Sequence, residues 1–312
     1  TQAWRQPGSA FKPFIYSAAL EKGIVPSTIV NDAPLVYGAG VTGGQPWTPK
    51  NYDGRFEGPM TARVAMAKSR NIPAIRILEA ATPAFTQQWI TRFGFEASKH
   101  PAYLTMALGA GSVTPMQMAV GFATFANTGY RITPWLITKI TDQRGVALAE
   151  YQPKPLAQQQ RVIEPRNAFI MDSMLQTVAR SGTAARAQAT LKRPDLYGKT
   201  GTTNEERDAW FMGFSPYLVT GVYVGYDQVQ SLGRLEQGGR TAAPIFRTYR
   251  VEVENRYPAD DFVMPEGIVM RDGLAFRSDM PIEGASATAP STGDDSVVDT
   301  SQGDEDLMRQ MF

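Results

Sequence analysis

Three short apolar segments in the C-terminal half of the chain limit most strongly what it can fold into. They are L-Y-G-K-T-G-T-T at 196–203, D-A-W-F-M-G-F at 208–214 and Y-L-V-T-G-V-Y-V-G-Y at 217–226. Each is rich in β-branched and aromatic residues and is bounded by turn residues. Because short connections join antiparallel neighbours, the pattern predicts three sequential strands of one antiparallel sheet.

Segments with helical periodicity precede and follow these strands. The first runs from Ser9 to Lys22 and is closed by Gly23, and the last covers Ala242–Tyr257. Between them the sequence predicts further helices at 61–68, 75–81, 83–93, 114–126 and 166–180, together with a hairpin at 132–150 that turns at D-Q-R-G. Helices on both sides of one antiparallel sheet make the predicted fold class α+β.

Composition excludes several kinds of site. The 312 residues include no cysteine and one histidine, His100, so thiol catalysis, disulfides and the usual Cys/His metal sites are not expected. His100 stands in the polar stretch E-A-S-K-H-P, which predicts a surface histidine and argues against a Ser-His-Asp triad. No apolar run reaches the roughly 18 residues of a membrane span, and no metal or organic cofactor is expected.

Charge divides the chain into two parts. From Asp260 to the end there are 12 acidic and 3 basic residues, whereas the preceding residues carry 28 basic and 18 acidic groups. A cationic body favours anionic ligands, and the absence of an aromatic-basic stacking motif argues against nucleic acid. We therefore expect a compact domain at 1–257 and an acidic, low-complexity tail at 258–312 that is disordered beyond about 283.

A serine and a lysine stand three residues apart in R-Q-P-G-S-A-F-K-P-F at 5–14. Positions i and i+3 of a helix share a face, so Ser9 and Lys12 would lie side by side near the helix start, where Pro13 costs little. A serine needs a base, and without histidine the candidate is a lysine whose pKa is lowered by burial or by other cations. The motif alone also fits a capping serine beside a solvated lysine.

Two further motifs favour a catalytic role for the first motif over a capping role. Ser69-Arg70-Asn71 falls in the break between two predicted helices, and Lys199-Thr200-Gly201-Thr202 lies on the first predicted strand. Singly, they fit an ordinary helix connection and a charged strand end. The order S-x-x-K, S-x-N, K-T-G is the signature set of penicillin-binding proteins and serine β-lactamases.

Residues 1–257 resemble the transpeptidase domain of a class A (bifunctional) penicillin-binding protein. The resemblance rests on the 5–14 segment, on K-S-R-N-I-P at 68–73, on R-S-G-T-A-A-R-A at 180–187 and on G-K-T-G-T-T-N-E-E-R-D-A-W-F-M-G-F-S-P at 198–216. The long K-T-G motif with its D-A-W-F favours class A over class B enzymes or a β-lactamase. The resemblance implies a penicillin-recognising fold, in which the site lies between the sheet and a helical subdomain that carries S-R-N.

The resemblance also implies the roles of the three polar groups nearest the chemistry. Ser9 would be the acylated nucleophile, Lys12 its base, and Ser69 a proton relay to the departing amine. Asn71 would hold the peptide amide of the substrate. Lys199 would supply positive charge near Ser69 and help to keep Lys12 neutral.

Strand periodicity suggests the remaining assignments. Thr200 and Thr202 share one face of a strand, where two hydroxyls can bind a terminal carboxylate, and Lys199 lies on the other face. Gly201 would leave room for a ligand to lie along the strand edge. The backbone N–H groups of Ser9 and Thr202 would form an oxyanion hole.

The predicted function is that of a D,D-transpeptidase which crosslinks peptidoglycan stem peptides ending in D-Ala-D-Ala and is inhibited by β-lactam antibiotics. One alternative is a serine β-lactamase, which needs a device for fast deacylation; no E-x-x-L-N-type stretch occurs between Asn71 and Lys199. The other is a non-catalytic β-lactam sensor or scaffold. Carboxypeptidase activity would follow if water took the acyl group.

The resemblance implies partners beyond the substrate as well. In the resembling family, strands of the central sheet precede the S-x-x-K helix, whereas only eight residues do so here, so the sheet is expected to lack its upstream strands. A glycosyltransferase domain and a membrane anchor would lie further upstream in the same protein. We expect a periplasmic or other extracytoplasmic location and contacts with cell-wall synthesis proteins.

Three features stay open at this stage. The R-S-G-T-A-A-R-A segment fits a helix C-cap or a structural support beneath the K-T-G strand. Asp208 and Trp210 are expected to fix the second strand, through a turn hydrogen bond and core packing respectively. Trp47, Tyr52 and Phe56 either line a groove for the stem peptide or pack their own loop.

Overall fold

The computed structural model describes residues 2–39, 45–155 and 158–280. The helices begin with α1, which follows a 3₁₀ turn at Gly8–Phe11. The α-helices are α1 Lys12–Leu20, α2 Ala62–Lys68, α3 Asn71–Ala81, α4 Pro83–Ile90, α5 Pro115–Ala126, α6 Pro165–Ser181, α7 Ala185–Leu191 and α8 Ala243–Glu254. Short 3₁₀ turns lie at Thr91–Phe93, Ala97–Lys99, Leu104–Leu108 and Asn204–Glu206, and a π turn at Gly238–Ala242 leads into α8.

Within the described residues, all pairing between strands is antiparallel. They are β1 Ile29–Asp32, β2 Gly58–Thr61, β3 Lys139–Thr141, β4 Ala147–Glu150, β5 Tyr197–Thr202, β6 Asp208–Ser215, β7 Leu218–Gly225, β8 Ile268–Arg271 and β9 Leu274–Arg277. Strands β5, β6 and β7 form one sheet in that order, and the other strands form two-stranded hairpins or ribbons. The three predicted strands are therefore confirmed, as is the hairpin that turns at 142–145.

Helices cover both faces of this sheet. On one face Phe214 packs edge-to-face against Phe122 of α5, at 6.3 Å between ring centroids. On the other face Phe211 contacts Phe246 of α8, at 4.5 Å. Side chains that alternate along a strand point to opposite faces, so these two contacts place α5 and α8 on opposite sides of the sheet. The α+β architecture agrees with the prediction.

The core is continuous from the sheet through α1 into the helical part of the chain. Helix α1 is buried on all sides, because every residue from Lys12 to Leu20 lies in the interior. Phe14 of α1 lies at the centre of an aromatic cluster. The other members of the cluster are Phe11, Phe93, Phe95, Phe122 and Phe125. Burial of these rings stabilises the segment that carries the candidate nucleophile, at about 1.5–3 kcal/mol for each fully buried side chain.

The prediction of a surface His100 was wrong. Its side chain is 1% exposed and stacks on Phe11, at 4.6 Å between ring centroids and 8° between planes. Burial lowers the pKa of His100 to about 4. The local sequence is polar, but the loop folds under the S-x-x-K turn, where the imidazole behaves as a neutral aromatic ring.

A hairpin lies in the range that the sequence assigned to the acidic tail. Strands β8 and β9 pair between Ile268 and Arg277, and Ile268, Ala275 and Phe276 are buried. Arg63 Nη1 donates a hydrogen bond to Gly273 O at 2.8 Å, which fastens the hairpin to α2. The predicted disorder beyond 283 lies outside the described residues. Within those residues, no helix has the length and apolar character needed to cross a bilayer.

Candidate active site

A cavity of about 710 Å³ lies between the end of β5 and the helical part of the chain. It brings together most of the residues that the motifs identified. Ser9, Ser69, Asn71, Thr200 and Thr202 all line it. Lys12 and Lys199 are fully buried behind this lining. All three motifs therefore meet at one place, although up to 190 residues separate them in sequence.

The turn that presents Ser9 passes directly against the K-T-G strand. Gly8 has a φ of +53°, and a Cβ on it would lie 2.4 Å from Thr202 O. A Cβ on Gly201 would lie 2.6 Å from Pro7 O. Both glycines are therefore required for this backbone crossing. The Ser9 turn occupies the direction that a Cβ on Gly201 would take, and the expectation that Gly201 also leaves room for a ligand along the strand edge stays a prediction.

Lys12 joins the first motif to the second. Its Nζ donates to Ser69 O at 2.8 Å, Arg70 O at 3.1 Å and Asn71 Oδ1 at 2.8 Å. Burial lowers the pKa of Lys12 well below its usual value, and the charges of Lys199 and Arg70 lower it further. The three acceptors favour the ammonium form, but desolvation dominates at a fully buried site. Among the described residues, no hydrogen bond yet joins Lys12 Nζ to Ser9 Oγ, which is common before substrate binds.

Ser69 ends α2 in the left-handed conformation, with φ +58° and ψ +36°. A non-glycine residue held there stores about 1–3 kcal/mol of strain, and such residues concentrate at functional sites. The conformation turns the Ser69 hydroxyl toward the sheet. Lys199 Nζ donates to Ser69 Oγ at 2.8 Å and to Thr200 O at 3.1 Å. Burial lowers the pKa of Lys199 to about 7.

Asn51 supports the second motif in a way that the sequence did not reveal. Helix α3 begins at Asn71 and has no side-chain cap from Arg70, the residue before it. Instead Asn51 Oδ1 accepts from the backbone N of Asn71 at 2.8 Å and of Ile72 at 3.4 Å. Its Nδ2 donates to Asp32 Oδ1 at 2.7 Å. A loop residue 20 positions upstream thus caps the helix that carries Asn71.

Arg70, the middle residue of S-R-N, is held by three carboxylates. Its Nε lies 3.5 Å from Asp32 Oδ2 and its Nη1 lies 2.9 Å from Asp53 Oδ1. Its Nη2 is paired with Glu57. The buried guanidinium is therefore compensated, as a buried charge must be. The arrangement fixes the backbone on which Lys12 depends.

The K-T-G strand presents its hydroxyls as the periodicity predicted. Thr200 pairs in register with Phe211 and Thr202 with Ala209, whereas Lys199 pairs with Met212. Residues directly opposite each other share a face, so the two threonines lie on one face and Lys199 on the other. Strand β5 pairs only with β6 among the described residues, and its outer edge borders the cavity.

The D-A-W segment ties the Ser9 turn to the sheet. Asp208 N donates to Thr203 Oγ1 at 2.9 Å, the expected turn hydrogen bond, and Trp210 is 1% exposed in the core. Trp210 Nε1 donates to Gln6 O at 2.9 Å. Tyr223 Oη donates to Asp208 Oδ1 at 3.0 Å and accepts from Arg5 Nε at 2.9 Å. The residues flanking Ser9 are therefore fixed to β6 and β7.

The aromatic loop contributes two of its three side chains. Trp47 and Tyr52 line the cavity, and Phe56 does not. Tyr52 Oη donates to Glu206 Oε1 at 2.6 Å and accepts from Gln237 Nε2 at 2.8 Å, which bridges the two sides of the cavity. Thr183 of the R-S-G-T-A-A-R-A segment also lines the cavity, a position that neither of the two interpretations of this segment included.

This arrangement supplies the parts of serine acyl transfer. The Ser9 hydroxyl lies on the turn that leads into α1, where the pKa of Lys12 is lowered. Ser69 joins Lys12 to Lys199, because its backbone O accepts from Lys12 and its Oγ accepts from Lys199, whose pKa is also lowered. Paired threonine hydroxyls offer donors to an anionic group. No group of histidine, aspartate or glutamate side chains suited to a metal occurs in the described ranges. The three motifs that meet here are the signature set of penicillin-binding proteins and serine β-lactamases.

Comparison with known proteins identifies the family. The sequence pattern of the penicillin binding protein transpeptidase domain matches residues 1–249, most of the chain. Penicillin-binding protein 1A of Neisseria meningitidis is 45% identical over 293 residues, which cover 94% of this chain and 37% of that protein. Penicillin-binding protein 1A of Pseudomonas aeruginosa is 39% identical and covers 93% of this chain. The chain belongs to the penicillin-binding protein transpeptidase domain family.

A solved structure supports the fold. The 2.6 Å crystal structure of penicillin-binding protein 1A from Haemophilus influenzae matches with a TM-score of 0.82 and 38% sequence identity. The match covers 86% of this chain and 45% of that chain. The chain spans 37% of the Neisseria meningitidis relative's length and 40% of the Pseudomonas aeruginosa relative's.

Proposed function

We propose that the chain is a serine D,D-transpeptidase that crosslinks peptidoglycan stem peptides ending in D-Ala-D-Ala and is inhibited by β-lactams. The observation that carries the proposal is the junction of the three motifs around Ser9. There Lys12 contacts the whole S-R-N motif, and Lys199 reaches Ser69 from the opposite side.

The reaction divides into two acyl transfers. Ser9 Oγ attacks the carbonyl carbon of the penultimate D-alanine and gives its proton to neutral Lys12, while backbone N–H groups of Ser9 and Thr202 bind the developing oxyanion. The C–N bond then breaks, and the departing D-alanine amine takes a proton that Ser69 relays from Lys12. In the second transfer an amine of a neighbouring stem peptide attacks the ester, loses its proton along the same route, and restores Ser9.

Asn71 and the threonines of the K-T-G strand would bind the substrate without taking part in the bond changes. Asn71 Nδ2 donates to Lys50 O at 2.9 Å and its Oδ1 accepts from Lys12, which fixes the amide beside the cavity. We assign it to the peptide amide of the substrate. Thr200 and Thr202 are assigned to the terminal carboxylate, with Lys199 supplying positive charge nearby. Attack of water on the ester would give carboxypeptidase activity at the same site.

The length of the relatives bears on the larger protein to which the chain would belong. The relatives are much longer than this chain, so we propose that it forms the transpeptidase part of a larger bifunctional protein, with a glycosyltransferase domain and a membrane anchor. Such a protein would act on the extracytoplasmic side of the membrane with other cell-wall synthesis proteins. An antibody raised against the chain tests this, because it should detect a membrane-associated protein well above 34.2 kDa in its native cells.

Mass spectrometry after exposure to benzylpenicillin tests the chemistry. We expect one intact benzylpenicillin attached to Ser9 and retained for many minutes, because the opened ring keeps the leaving nitrogen tethered in the site. Ser9→Ala should abolish labelling, and Lys12→Ala should slow it by at least about 100-fold, the usual scale of a general base. Ser98→Ala, a change at an exposed serine, is the control that keeps labelling.

Two results would contradict the proposal in different ways. Rapid multiple turnover of benzylpenicillin would support a β-lactamase. Stable labelling without any crosslinked product from stem-peptide substrates would support a sensor or scaffold.

A further inference from the structure

Thr183 lies where the elements that carry the second and third motifs meet. Its backbone N donates to Ala67 O at 3.1 Å, two residues before Ser69. A Cβ on the preceding Gly182 would lie 2.3 Å from the same Ala67 O, so the loop can approach α2 this closely only with glycine there. The backbone of Thr183 is thus fixed to the helix that presents Ser69.

The side chain of Thr183 reaches the other motif. Its Oγ1 lies 2.7 Å from Thr200 Oγ1, and both residues line the cavity. Thr202 lines the same cavity, and its Oγ1 accepts from Gly238 N at 3.1 Å. All three threonines therefore line the cavity, with the first two in direct contact, and we refer to the three as the cluster.

Counting protons shows what this cluster can bind. A threonine hydroxyl has one proton to donate and two lone pairs to accept. The bond between Thr183 and Thr200 uses one of their two protons, and Thr202 uses only a lone pair with Gly238. Two O–H donors remain, and an ionised carboxylate, which only accepts, is the group that they match.

The charges around the cluster agree with an anionic ligand. Lys199 lies on the same strand, and its Nζ donates to the carbonyl oxygen of Thr200. The two carboxylates that line the cavity are already paired: Asp53 with Arg70 and Glu205 with Arg207. Neither leaves an uncompensated negative charge facing the hydroxyls.

We propose that Thr183 is a specificity-determining residue, the third hydroxyl of the subsite that selects substrates with a free carboxylate next to the scissile amide. This inference rests on the proposed function, and it assigns to the R-S-G-T-A-A-R-A segment a role in ligand binding rather than support alone. Thr183 sets which oxygen of the Thr183–Thr200 pair donates toward the ligand.

The test compares two acylating agents on three proteins. The second-order rate of Ser9 acylation is measured with benzylpenicillin and with its methyl ester, which lacks the carboxylate. Thr183→Val keeps the shape but removes the hydroxyl, and we expect it to lower the benzylpenicillin rate about 10-fold or more, the usual effect of losing a hydrogen bond to a charged group. The methyl ester rate should stay within about twofold, and Thr183→Ser should restore the benzylpenicillin rate.

Each outcome bears on the inference. An equal fall for both agents, or no rescue by Thr183→Ser, would show that Thr183 only supports the strand and would overturn the proposal. If Thr183→Val fails to fold, Thr183→Ala is measured in its place with the same expected change in rate ratio. Absence of Ser9 labelling in the unaltered protein would overturn the proposed function and this inference together, whereas labelling with an unchanged ratio would overturn this inference alone.

Discussion

Lys199 Nζ lies 2.8 Å from Ser69 Oγ, although the two residues come from opposite sides of the cavity. The ammonium is fully buried, and burial lowers its pKa to about 7. A change of pH around 7 therefore changes the charge of Lys199. Lys12 contacts the same S-R-N motif from its other side, so a change in the protonation of either lysine affects this one motif.

The acylation rate should follow the charge of Lys199. Lys12 must be neutral to accept the Ser9 proton, and its lowered pKa favours that neutral form. Above about pH 7 Lys199 loses its proton, and the attraction for Ser69 Oγ and for the substrate carboxylate weakens. We expect the rate of benzylpenicillin acylation, measured between pH 6 and 9, to have a descending limb near pH 7.

Lys199→Arg provides the matched comparison, because a guanidinium keeps its charge through this range. The variant should be slower at pH 6, since the group is larger, but its descending limb should disappear. A wild-type rate that stays level from pH 6 to 9 would count against the role of Lys199.

His100 should make stability depend on pH. In the folded protein its pKa is about 4, whereas an unfolded histidine has a pKa of about 6.5. The unfolded chain therefore takes up a proton first as pH falls, and stability present above pH 6.5 is lost down to about pH 4, by at most about 3 kcal/mol. Urea unfolding at pH 8 and pH 4.5 measures the change.

His100→Phe isolates this effect. Within the part of the chain that the structure describes, neither ring nitrogen of His100 has a hydrogen-bond partner, and the ring stacks on Phe11, so a phenyl ring suits the site chemically. The variant should lose less stability between the two pH values than the unaltered protein. An identical loss in both proteins would mean that other groups govern the acid sensitivity.

The sequence predicted the elements whose causes are local. Helix α5 is an example, because Thr114 and Gln117 form a capping box and Pro115 occupies the first helical position. Strands β5 to β7 were predicted for the same reason, since their composition and short turns act within a few residues. The S-x-x-K, S-x-N and K-T-G motifs could also be found in the sequence, because residue identity and order alone define them.

Two features that the sequence did not predict depend on contacts between residues far apart in the chain. Asn51 caps α3 across 20 residues, and His100 is buried because Phe11 stacks on it from another part of the chain. Neither contact leaves a local pattern. The β8–β9 hairpin was missed for a different reason: counting charge over 258–312 averaged an apolar hairpin with the acidic residues that follow it. Thr183 looked structural because its partner Thr200 is on another element.

Two C-terminal truncations of the protein should behave differently. Ending it after Glu283 should leave the rate of penicillin labelling within about twofold, because every residue assigned to the site lies well before Glu283. Ending it after Glu266 removes β8 and β9 and with them the buried Ile268 and Phe276. That should lower the free energy of unfolding by about 3 kcal/mol or more, from about 1.5–3 kcal/mol per buried side chain.

Thermal unfolding and benzylpenicillin labelling measure both truncations. If the protein that ends at Glu283 is labelled much more slowly than the full chain, the acidic segment beyond Glu283 contributes to the site. Equal melting temperatures for the two products would mean that the hairpin adds nothing to the fold.

Asn51 should matter more for acylation than for stability. Asn51→Ala leaves two N–H groups at the start of α3 without their acceptor, at a cost of about 1–2 kcal/mol for a lost cap. The first of those groups belongs to Asn71, whose side chain holds Lys12 Nζ, so a loosened helix start also displaces the base. We expect benzylpenicillin acylation to fall 10- to 100-fold, because misplacement of about 1 Å costs on the order of 100-fold. Thr114→Ala is the control: Thr114 Oγ1 caps the start of α5 by accepting from Gln117 N at 3.1 Å, on a different helix from those that carry Lys12's acceptors. It should lower the melting temperature by a similar amount and leave the acylation rate within about twofold. Equal losses of acylation in both variants would show that capping acts on the site only through overall stability.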